Sequence, residues 1–422
     1  MRIAPIFLTV FTLAATLVRS QGLYPIKEGV LDLRAWDSHT DPAIALNGEW
    51  RFRWNELILA QDFKKSPDLI MAQLSVPWSE QVIDGTKLPK NGAASYYLKI
   101  LLPTGMDSVS FAVPAVFNSY AFWVNDQLIC NSGTVSARKE VMRPRWMPQT
   151  VVVAAPDDTL HVIFQIANFQ NTRGGCAEIM RIGDPHYLPA MSRIFYKGGY
   201  AMLFLFTVIG MACLIIYGIW RIKSFLFLGF LSFAYLLRFL FSDLYFSYDV
   251  GLKLSWMMVA RIEYGTVPII VLSGAFFLSS IYPQEFRKKV LYFFAGINST
   301  LVLLVIFSPT AFFFELLSTI QIIALLFLFY VIYVVVKAVI YRRVGAWITA
   351  LGLAVFAVVG LYNIYALINI VDLNRLFIYC GYASALVLNI VSLLYRTPIR
   401  LRTEEQDILR FSDLYGDQTD YA

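Results

Sequence analysis

The sequence is poor in charged residues and in metal ligands, and this scarcity excludes several functions. Only 15% of its 422 residues are charged, and it has three histidines and four cysteines. His39 and His186 lie near the ends of a predicted domain and His161 lies inside a predicted strand, so no histidine cluster indicates a metal site. Gly-x-Ser-x-Gly, P-loop and His-Glu-x-x-His elements do not occur. We therefore expect no metal, no cofactor and no enzymatic activity.

Charge is scarcest between residues 198 and 395, where seven long uncharged stretches follow one another. About 20 apolar residues in a helix span the roughly 30 Å hydrocarbon core of a bilayer. A helix also satisfies its own backbone where no water is available. The pattern predicts a membrane domain over 191–396, with transmembrane helices at about 199–220, 224–246, 262–282, 290–309, 314–337, 344–369 and 375–395.

The first twenty residues have the pattern of a secretory signal peptide. Arg2 supplies a positive start, Ile3–Val18 supplies an apolar run, and Val18 and Ser20 suit a cleavage site after residue 20. An uncleaved membrane anchor is the alternative. The signal predicts that residues 21–190 form a domain outside the cytoplasm.

The basic residues in the short loops predict the orientation of the helices. Eleven lie on the side predicted to be cytoplasmic, whereas the opposite loops contain only Lys253 and Arg375. We expect a membrane protein with an extracytoplasmic N-terminal domain, a cytoplasmic C-terminus and a short tail at 397–422. The net charge of +6 then reflects topology and does not indicate nucleic acid. The eleven are Arg221, Lys223, Arg287, Lys288, Lys289, Lys337, Arg342, Arg343, Arg396, Arg400 and Arg402.

Short alternating runs separated by turn residues predict a β-sandwich or jelly roll over 21–190. Cys130 and Cys176 both fall in this exported domain, where a disulfide is chemically permitted, but their spacing does not decide whether they pair. The predicted strands are Ser95–Leu101, Val109–Val113, Tyr120–Val124, Gln149–Val153 and Leu160–Ile166.

Several segments of this domain resemble the galactose-binding-like jelly roll, a module known as the non-catalytic sugar-binding domain of β-galactosidases. The resemblance implies a β domain that binds a ligand, plausibly a carbohydrate. It rests on Leu46–Phe52, Val76–Trp78, Gly92–Ile100 and Trp123–Gln127 with Gly133.

Other segments are more specific and resemble bacterial seven-transmembrane receptors with diverse intracellular signalling modules. In the first half these are Asn168-Phe169, Arg173-Gly174-Gly175 and Arg181–Pro185. In the membrane half they are Leu236-Leu237-Arg238, Arg261-Ile262-Glu263-Tyr264, Tyr282-Pro283 and Gln321-Ile322-Ile323. The likeness covers roughly residues 44–396 and implies a membrane signalling receptor of the bacterial inner membrane.

The chain departs from that family at two places. Asn363 stands where members often have an aspartate in the sixth helix, so no carboxylate role carries over to it. Members usually continue into a cyclase, kinase or phosphatase domain, whereas 27 residues follow Tyr395 here. We therefore expect the output to pass to a separate cytoplasmic signalling protein.

Four residues of the exported domain are candidates for ligand contact: Trp78, Tyr96, Asn168 and Arg173. Aromatic and amide side chains near turns suit carbohydrate recognition. The alternatives are that the aromatic rings belong to the core and that Arg173 braces the domain against the helices.

Arg238 and Glu263 are candidates for an intramembrane ion pair between the second and third helices. Charges inside a bilayer are costly and are usually paired or functional. Such a pair would lie beneath the β domain, where it could hold the resting packing of the helices.

The sequence thus predicts a receptor that binds an extracytoplasmic ligand and signals through its helices. A non-signalling envelope anchor or accessory subunit is the main alternative, and a transporter or membrane enzyme is a third. A homo-oligomer stays open. Deletion of residues 404–422 distinguishes the first two, since only signalling needs that segment.

Overall fold

A computed structural model describes residues 24–65, 70–83, 85–116, 118–176, 178–242, 244–369 and 375–415. Side chains are described over the same ranges except at 64–65, 310–311, 363–369 and 399–415. The predicted signal peptide, residues 1–20, lies outside the described residues. The predicted fold class is confirmed, because a β-sandwich precedes a domain of long helices.

Eleven strands are found in the described part of the chain, and they form two sheets. The larger sheet has the order β4-β3-β5-β10-β7-β8, with β1 pairing parallel to β5, and the smaller has the order β2-β11-β6-β9. The strands are β1 Val30–Asp32, β2 Ala43–Ala45, β3 Glu49–Trp54, β4 Met71–Gln73, β5 Gly92–Leu101, β6 Ser108–Val113, β7 Ser119–Val124, β8 Gln127–Ser132, β9 Gln149–Ala154, β10 Thr159–Asn168 and β11 Arg181–Gly183.

Large apolar side chains from both sheets fill the core of the sandwich. Phe111 of the smaller sheet packs on Phe122 of the larger one, with ring centres 5.1 Å apart, and both are fully buried. The helix Ala60–Lys65, which the sequence did not predict, covers the outer face of the larger sheet. Its Phe63 stacks on Tyr97 at 5.2 Å. The sandwich therefore has an internal core and a smaller covered outer face.

Seven long helices follow within the described residues, and six of them are long and apolar enough to cross a membrane. The other, α6, has a described apolar part at Ala346–Tyr362. The chain is thus an integral membrane protein. The helices are α1 Tyr187–Trp220, α2 Lys223–Phe241, α3 Trp256–Ile281, α4 Lys288–Phe307, α5 Thr310–Ile340, α6 Ala346–Asn369 and α7 Arg375–Tyr415.

The helix ends nearest the sandwich differ from the sequence prediction. Helix α1 starts at Tyr187, and α2 ends at Phe241 before a short helix Phe246–Asp249. Helix α3 begins at Trp256, because the Ser255 hydroxyl accepts a hydrogen bond from the Met258 amide, 3.3 Å away. The added turns at the starts of α1 and α3 place additional side chains at the contact with the sandwich.

Candidate functional site

The last strand of the sandwich leads directly into the first membrane helix. The Asp184 carboxylate accepts hydrogen bonds from the amides of His186 at 2.8 Å and Tyr187 at 3.1 Å, which satisfies donors at the start of α1. The Ser110 hydroxyl donates to the carbonyls of Gly183 and Asp184. These hydrogen bonds therefore fix the start of helix α1 relative to strand β11.

A second connection is made by Trp146, which leaves the β8–β9 loop and inserts among the helices. The side chain is 4% exposed. Its ring centre lies 5.2 Å from that of Trp256 at the start of α3 and 5.8 Å from that of Tyr245. The same apolar cluster contains Phe313 and Phe314 at the start of α5. One side chain of the β domain thus contacts the ends of several helices.

The segment that carries Trp146 is fixed to both domains by its neighbour Arg145. The guanidinium lies 4.7 Å from the ring centre of Tyr248, a cation–π contact with the short helix after α2. The Arg145 amide donates to the Asn118 carbonyl at 2.8 Å, and the Arg145 carbonyl accepts from the Ser132 hydroxyl at 3.0 Å. Gly133 has a φ of +73°, and a Cβ there would collide with the Arg143 carbonyl. The sandwich therefore holds this loop closely.

Asn168, a predicted ligand contact, is fully buried and organises the loop that follows β10. Its amide nitrogen donates to the carbonyls of Lys90 at 2.8 Å and Asn171 at 3.1 Å. Its amide oxygen accepts from the Asn171 backbone and from the Asn118 side chain. Asn118 is the residue whose carbonyl holds Arg145, so this amide network connects the 168–176 loop to the Trp146 segment.

Arg173, also a predicted ligand contact, lies on the surface of that loop. Its Nε and Nη2 atoms bind the two carboxylate oxygens of Glu80 at 2.6 and 3.0 Å. Both side chains remain over 40% exposed. The strand register places Ala167 opposite Ser119, so the pair lies at the same end of the sheet as the Trp146 segment.

The other two predicted ligand contacts, Trp78 and Tyr96, are core residues with no exposed surface. The Trp78 indole donates to the Pro89 carbonyl at 3.0 Å, and Gly174 packs closely on its ring. Tyr96 packs on Phe52 with ring centres 5.0 Å apart. Trp78 thus lies directly beneath the loop that bears Arg173, whereas Tyr96 lies within the sandwich.

Cys130 and Cys176 are both buried and are not joined by a disulfide. The Cys176 thiol donates to the Glu178 carbonyl at 3.3 Å. Burial raises the pKa of the Cys130 thiol to about 12. The pairing that the exported compartment permits is therefore absent from this structure.

Arg238 and Glu263, the residues of the predicted ion pair, are in contact through the main chain of α3. Nη1 of Arg238 donates to the main-chain carbonyl of Glu263, 2.8 Å away. The Thr266 hydroxyl donates to the same carbonyl at 2.6 Å. The contact joins α2 to α3, and the Glu263 side chain is buried in α3.

Arg261, two residues earlier, joins α3 to α4. Its guanidinium donates to the carbonyls of Val305, Ile306 and Ser308 at the C-terminus of α4. A cation is favourable there, because the last carbonyls of a helix have no partners within it. The Arg261–Tyr264 element thus connects three helices at the sandwich-facing end.

At the opposite end of the helices, charged groups make the contacts. Nε of Arg343, in the α5–α6 loop, binds Oε1 of Glu285 at 2.6 Å, and the Glu285 side chain is 2% exposed. Nη2 of Arg396, on α7, donates to the Tyr282 hydroxyl at 2.6 Å, and its guanidinium lies 4.6 Å from the Tyr282 ring centre. We call these four residues the polar clasp. It ties the end of α3 to α7 and to the α5–α6 loop.

The sandwich also has an open polar cleft at the end farthest from Trp146. The cleft has a volume of about 590 Å³. Asn125 positions it, since its side-chain oxygen accepts from the His161 amide at 2.8 Å. The cleft was not predicted from the sequence, and it is lined by Lys99, Asn125, Asp126, Asp157, Thr159 and His161.

Sequence reasoning missed Trp146, Arg145 and the Glu285–Arg343 pair. The only signal for Trp146 was a tryptophan in a loop between two prolines, Pro144 and Pro148. In the part of the chain that the structure describes, no group of three or more His, Cys, Asp or Glu side chains could hold a metal ion. The described arrangement is suited to transmitting movement between two domains.

Comparison with known proteins identifies the membrane half. Residues 196–396 match the family model described as 7TM diverse intracellular signalling. That family points to a membrane signalling receptor rather than an enzyme. A search of curated proteins found no match.

Solved structures similar to the chain include glycoside hydrolases, at low TM-scores. They include a GH2 β-galacturonidase from Eisenbergiella tayi (12% identity, 40% of this chain, 26% of that chain, TM-score 0.26). Another is the β-glucuronidase of an uncultured Clostridium sp. (12% identity, 40% of this chain, 31% of that chain, TM-score 0.27). A third is the β-glucuronidase of Ruminococcus gnavus (14% identity, 34% of this chain, 29% of that chain, TM-score 0.26). The chain spans about a quarter to a third of the length of these enzymes, and similarity at this level carries no argument about its activity or ligand.

Proposed function

Since residues 196–396 match the family model described as 7TM diverse intracellular signalling, we propose that the protein is a membrane signalling receptor that senses an extracytoplasmic ligand through its β-sandwich. Ligand binding moves the sandwich against the helices, and the helices carry the change to a separate cytoplasmic signalling protein. The orientation predicted from the basic loop residues places the polar clasp on the cytoplasmic side.

The observation that carries this proposal is the insertion of Trp146 among the starts of α3 and α5. A ligand shifts a conformational equilibrium only when it binds the two arrangements with different affinities. A sandwich joined to the bundle by β11 alone could move without disturbing α3. With Trp146 inserted, a rotation of the sandwich has to displace Trp256 and the start of α3.

The proposed ligand is a carbohydrate, and its proposed contact is the exposed Arg173–Glu80 pair. An exposed ion pair contributes only about 0–1 kcal/mol, so both groups can turn to a ligand at little cost. Guanidinium and carboxylate groups form strong charge-assisted hydrogen bonds with hydroxyls. Asn168 is the proposed link from this loop, through Asn118, to the Trp146 segment.

Helix α7 is the proposed output element. It leaves the polar clasp at Arg396 and continues to Tyr415. Displacement of α3 at Trp256 would move Tyr282 at its other end and so loosen the contact with Arg396. A cytoplasmic partner would then read the position of α7.

The test is a thermal-shift screen of the full-length protein in lipid nanodiscs against a panel of carbohydrates. A ligand at a hundred times its dissociation constant stabilises the folded state by about 2.7 kcal/mol. We expect a carbohydrate to raise the melting temperature of the wild type and of Lys99→Ala, a variant of the distal cleft. Arg173→Ala should lose that shift.

Three outcomes separate the parts of the proposal. A shift lost in Lys99→Ala and kept in Arg173→Ala would move the binding site to the distal cleft. A shift kept in both variants would place it elsewhere on the protein. No shift with any carbohydrate, from a protein that unfolds cooperatively, would contradict the carbohydrate ligand.

A further inference from the structure

A crevice opens towards the lipid between helices α4 and α5. Its volume is about 600 Å³, and its lining is mainly apolar. Gly296 leaves it open, because a Cβ built there would meet no atom within 4 Å. The polar atoms of its walls are partly satisfied, since the Thr300 hydroxyl donates to the Gly296 carbonyl at 3.0 Å. The lining includes Tyr292, Gly296, Ile297, Thr300, Thr319 and Ile323.

The crevice lies along α4 between Tyr292 and Leu301, and Lys289 precedes its first lining residue by three positions. Helix α4 begins at Lys288, and Thr300 lies eleven residues beyond Lys289, which at 1.5 Å per residue is about 16 Å. Half of the hydrocarbon core is about 15 Å. A single acyl chain of one leaflet therefore has the length to fill the crevice.

Three consecutive cations, Arg287, Lys288 and Lys289, lie at the surface end of the crevice, and all are exposed. The nearest carboxylate in the sequence, that of Glu285, is buried and bound to Arg343, so it does not neutralise them. Lys337 of the adjacent helix α5, with Nζ 5.7 Å from the ring centre of Tyr333, adds a cation near the same end of the bundle.

We propose that this crevice is a binding site for an anionic phospholipid. The phosphate lies against Lys288 and Lys289, and one acyl chain occupies the space beside Gly296. Charge complementarity selects the lipid, because clustered basic residues at a membrane surface attract anionic headgroups. The depth of the crevice matches the chain that such a headgroup carries. Lipid binding in this crevice does not require a ligand on the sandwich.

The experiment is native mass spectrometry of the full-length protein in detergent, titrated with phosphatidylglycerol and with phosphatidylcholine of identical acyl chains. We expect phosphatidylglycerol to bind more tightly. K288Q/K289Q should weaken phosphatidylglycerol binding about 30-fold and leave phosphatidylcholine almost unchanged. Gly296→Leu, which fills the crevice, should weaken both lipids about tenfold.

Matched controls exist elsewhere on the bundle. R221Q/K223Q removes two exposed cations from the loop between α1 and α2, at the same end of the helices. Gly218 of α1 also has open space around it, so Gly218→Leu places the same side chain on a lipid-facing helix. Both controls should bind lipid like the wild type, and the melting temperature of each variant reports on folding.

Equal affinity of the wild type for the two lipids would overturn the proposal. Equal losses of phosphatidylglycerol affinity in K288Q/K289Q and R221Q/K223Q would also overturn it, because the lipid would then respond to the overall positive charge and not to this site. A lipid-free dimer that Gly296→Leu abolishes would assign the crevice to a second copy of this chain instead.

Discussion

The two ends of the helix bundle are held by different kinds of contact. Near the sandwich, Trp146 packs among aromatic rings such as Trp256 and Phe314. At the far end, the carboxylate of Glu285 and the guanidinium of Arg343 form an ion pair. The Trp146 and Trp256 rings pack edge to face at close range, so a small movement of the sandwich passes through them to α3. A buried ion pair depends on its geometry, so the Glu285–Arg343 contact is either formed or broken.

Under the proposed function, this contrast assigns different tasks to the two ends. The sandwich-facing contact is suited to carrying a continuous displacement into α3, and the polar clasp is suited to converting it into two discrete positions. Salt should change the packing of Trp146 little, because screening weakens charge interactions and leaves apolar packing unchanged.

The largest expected effect comes from removing the aromatic contact. Trp146→Ala should lower the free energy of unfolding by about 4 kcal/mol, because a large buried ring is replaced by a cavity. Unfolding of the detergent-solubilised protein measures this loss. Phe307→Ala is the control, since Phe307 of α4 is 78% exposed, and its cost should stay within about 0.5 kcal/mol. Equal losses of unfolding free energy in the two variants would show that Trp146 does not stabilise the contact between the sandwich and the helices.

Next in size is the loss of the ion pair at the opposite end. Arg343→Ala should cost about 3 kcal/mol, because it leaves the buried Glu285 carboxylate uncompensated. Adding Glu285→Gln to that variant should recover most of the loss, since no buried charge then remains. Melting temperatures of the single and double variants provide the measurement. A double variant no more stable than Arg343→Ala would contradict a buried ion pair.

Within the sandwich, Asn168→Ala tests the link between the Arg173 loop and the Trp146 segment. It should cost about 2 kcal/mol, because the Lys90 and Asn171 carbonyls lose their donor. Asn131 is exposed and donates only to the Gly133 carbonyl, so Asn131→Ala should cost about 0.5 kcal/mol. Similar melting temperatures for the two variants would show that the network does not stabilise the loop.

The smallest effect is chemical and concerns Cys130. Its pKa of about 12 leaves about one thiolate in ten thousand at pH 8, since the thiolate fraction falls tenfold per pH unit below the pKa. Alkylation of the folded protein should therefore be slow and should accelerate on unfolding without a reductant. A thiol that becomes reactive only after reduction would instead indicate the disulfide with Cys176.

Regular elements could be predicted from the sequence because their signals are local. The alternation in Ser95–Leu101 predicted most of β5, which spans Gly92–Leu101. The helix predicted at 344–369 differs by two residues at its start from α6, which spans Ala346–Asn369. The early start of α1 was not predicted, because Arg193 and Lys197 interrupt the apolar run. These residues belong to the part of the helix that precedes the uncharged stretch.

Contacts between distant residues could not be predicted in the same way. The sequence indicated that Arg238 and Glu263 would meet but not that Arg238 would bind a main-chain carbonyl, since every residue has that group. Trp146 lies 110 residues before Trp256, and nothing in either segment marks the other as its partner. The ligand candidates Trp78 and Asn168 were located near loops correctly, but their burial depends on the packing of the 168–176 loop.

The central claim is that movement at Trp146 reaches the polar clasp through α3. Hydrogen–deuterium exchange of residues 281–286 and 392–398, compared among wild type, Trp146→Ala and Phe307→Ala, tests it most directly. The account predicts that Trp146→Ala speeds exchange there about tenfold, because local opening of the clasp becomes easier, and that Phe307→Ala leaves it unchanged. Exchange that rises in the sandwich of Trp146→Ala but stays at the wild-type rate at the clasp would contradict the account.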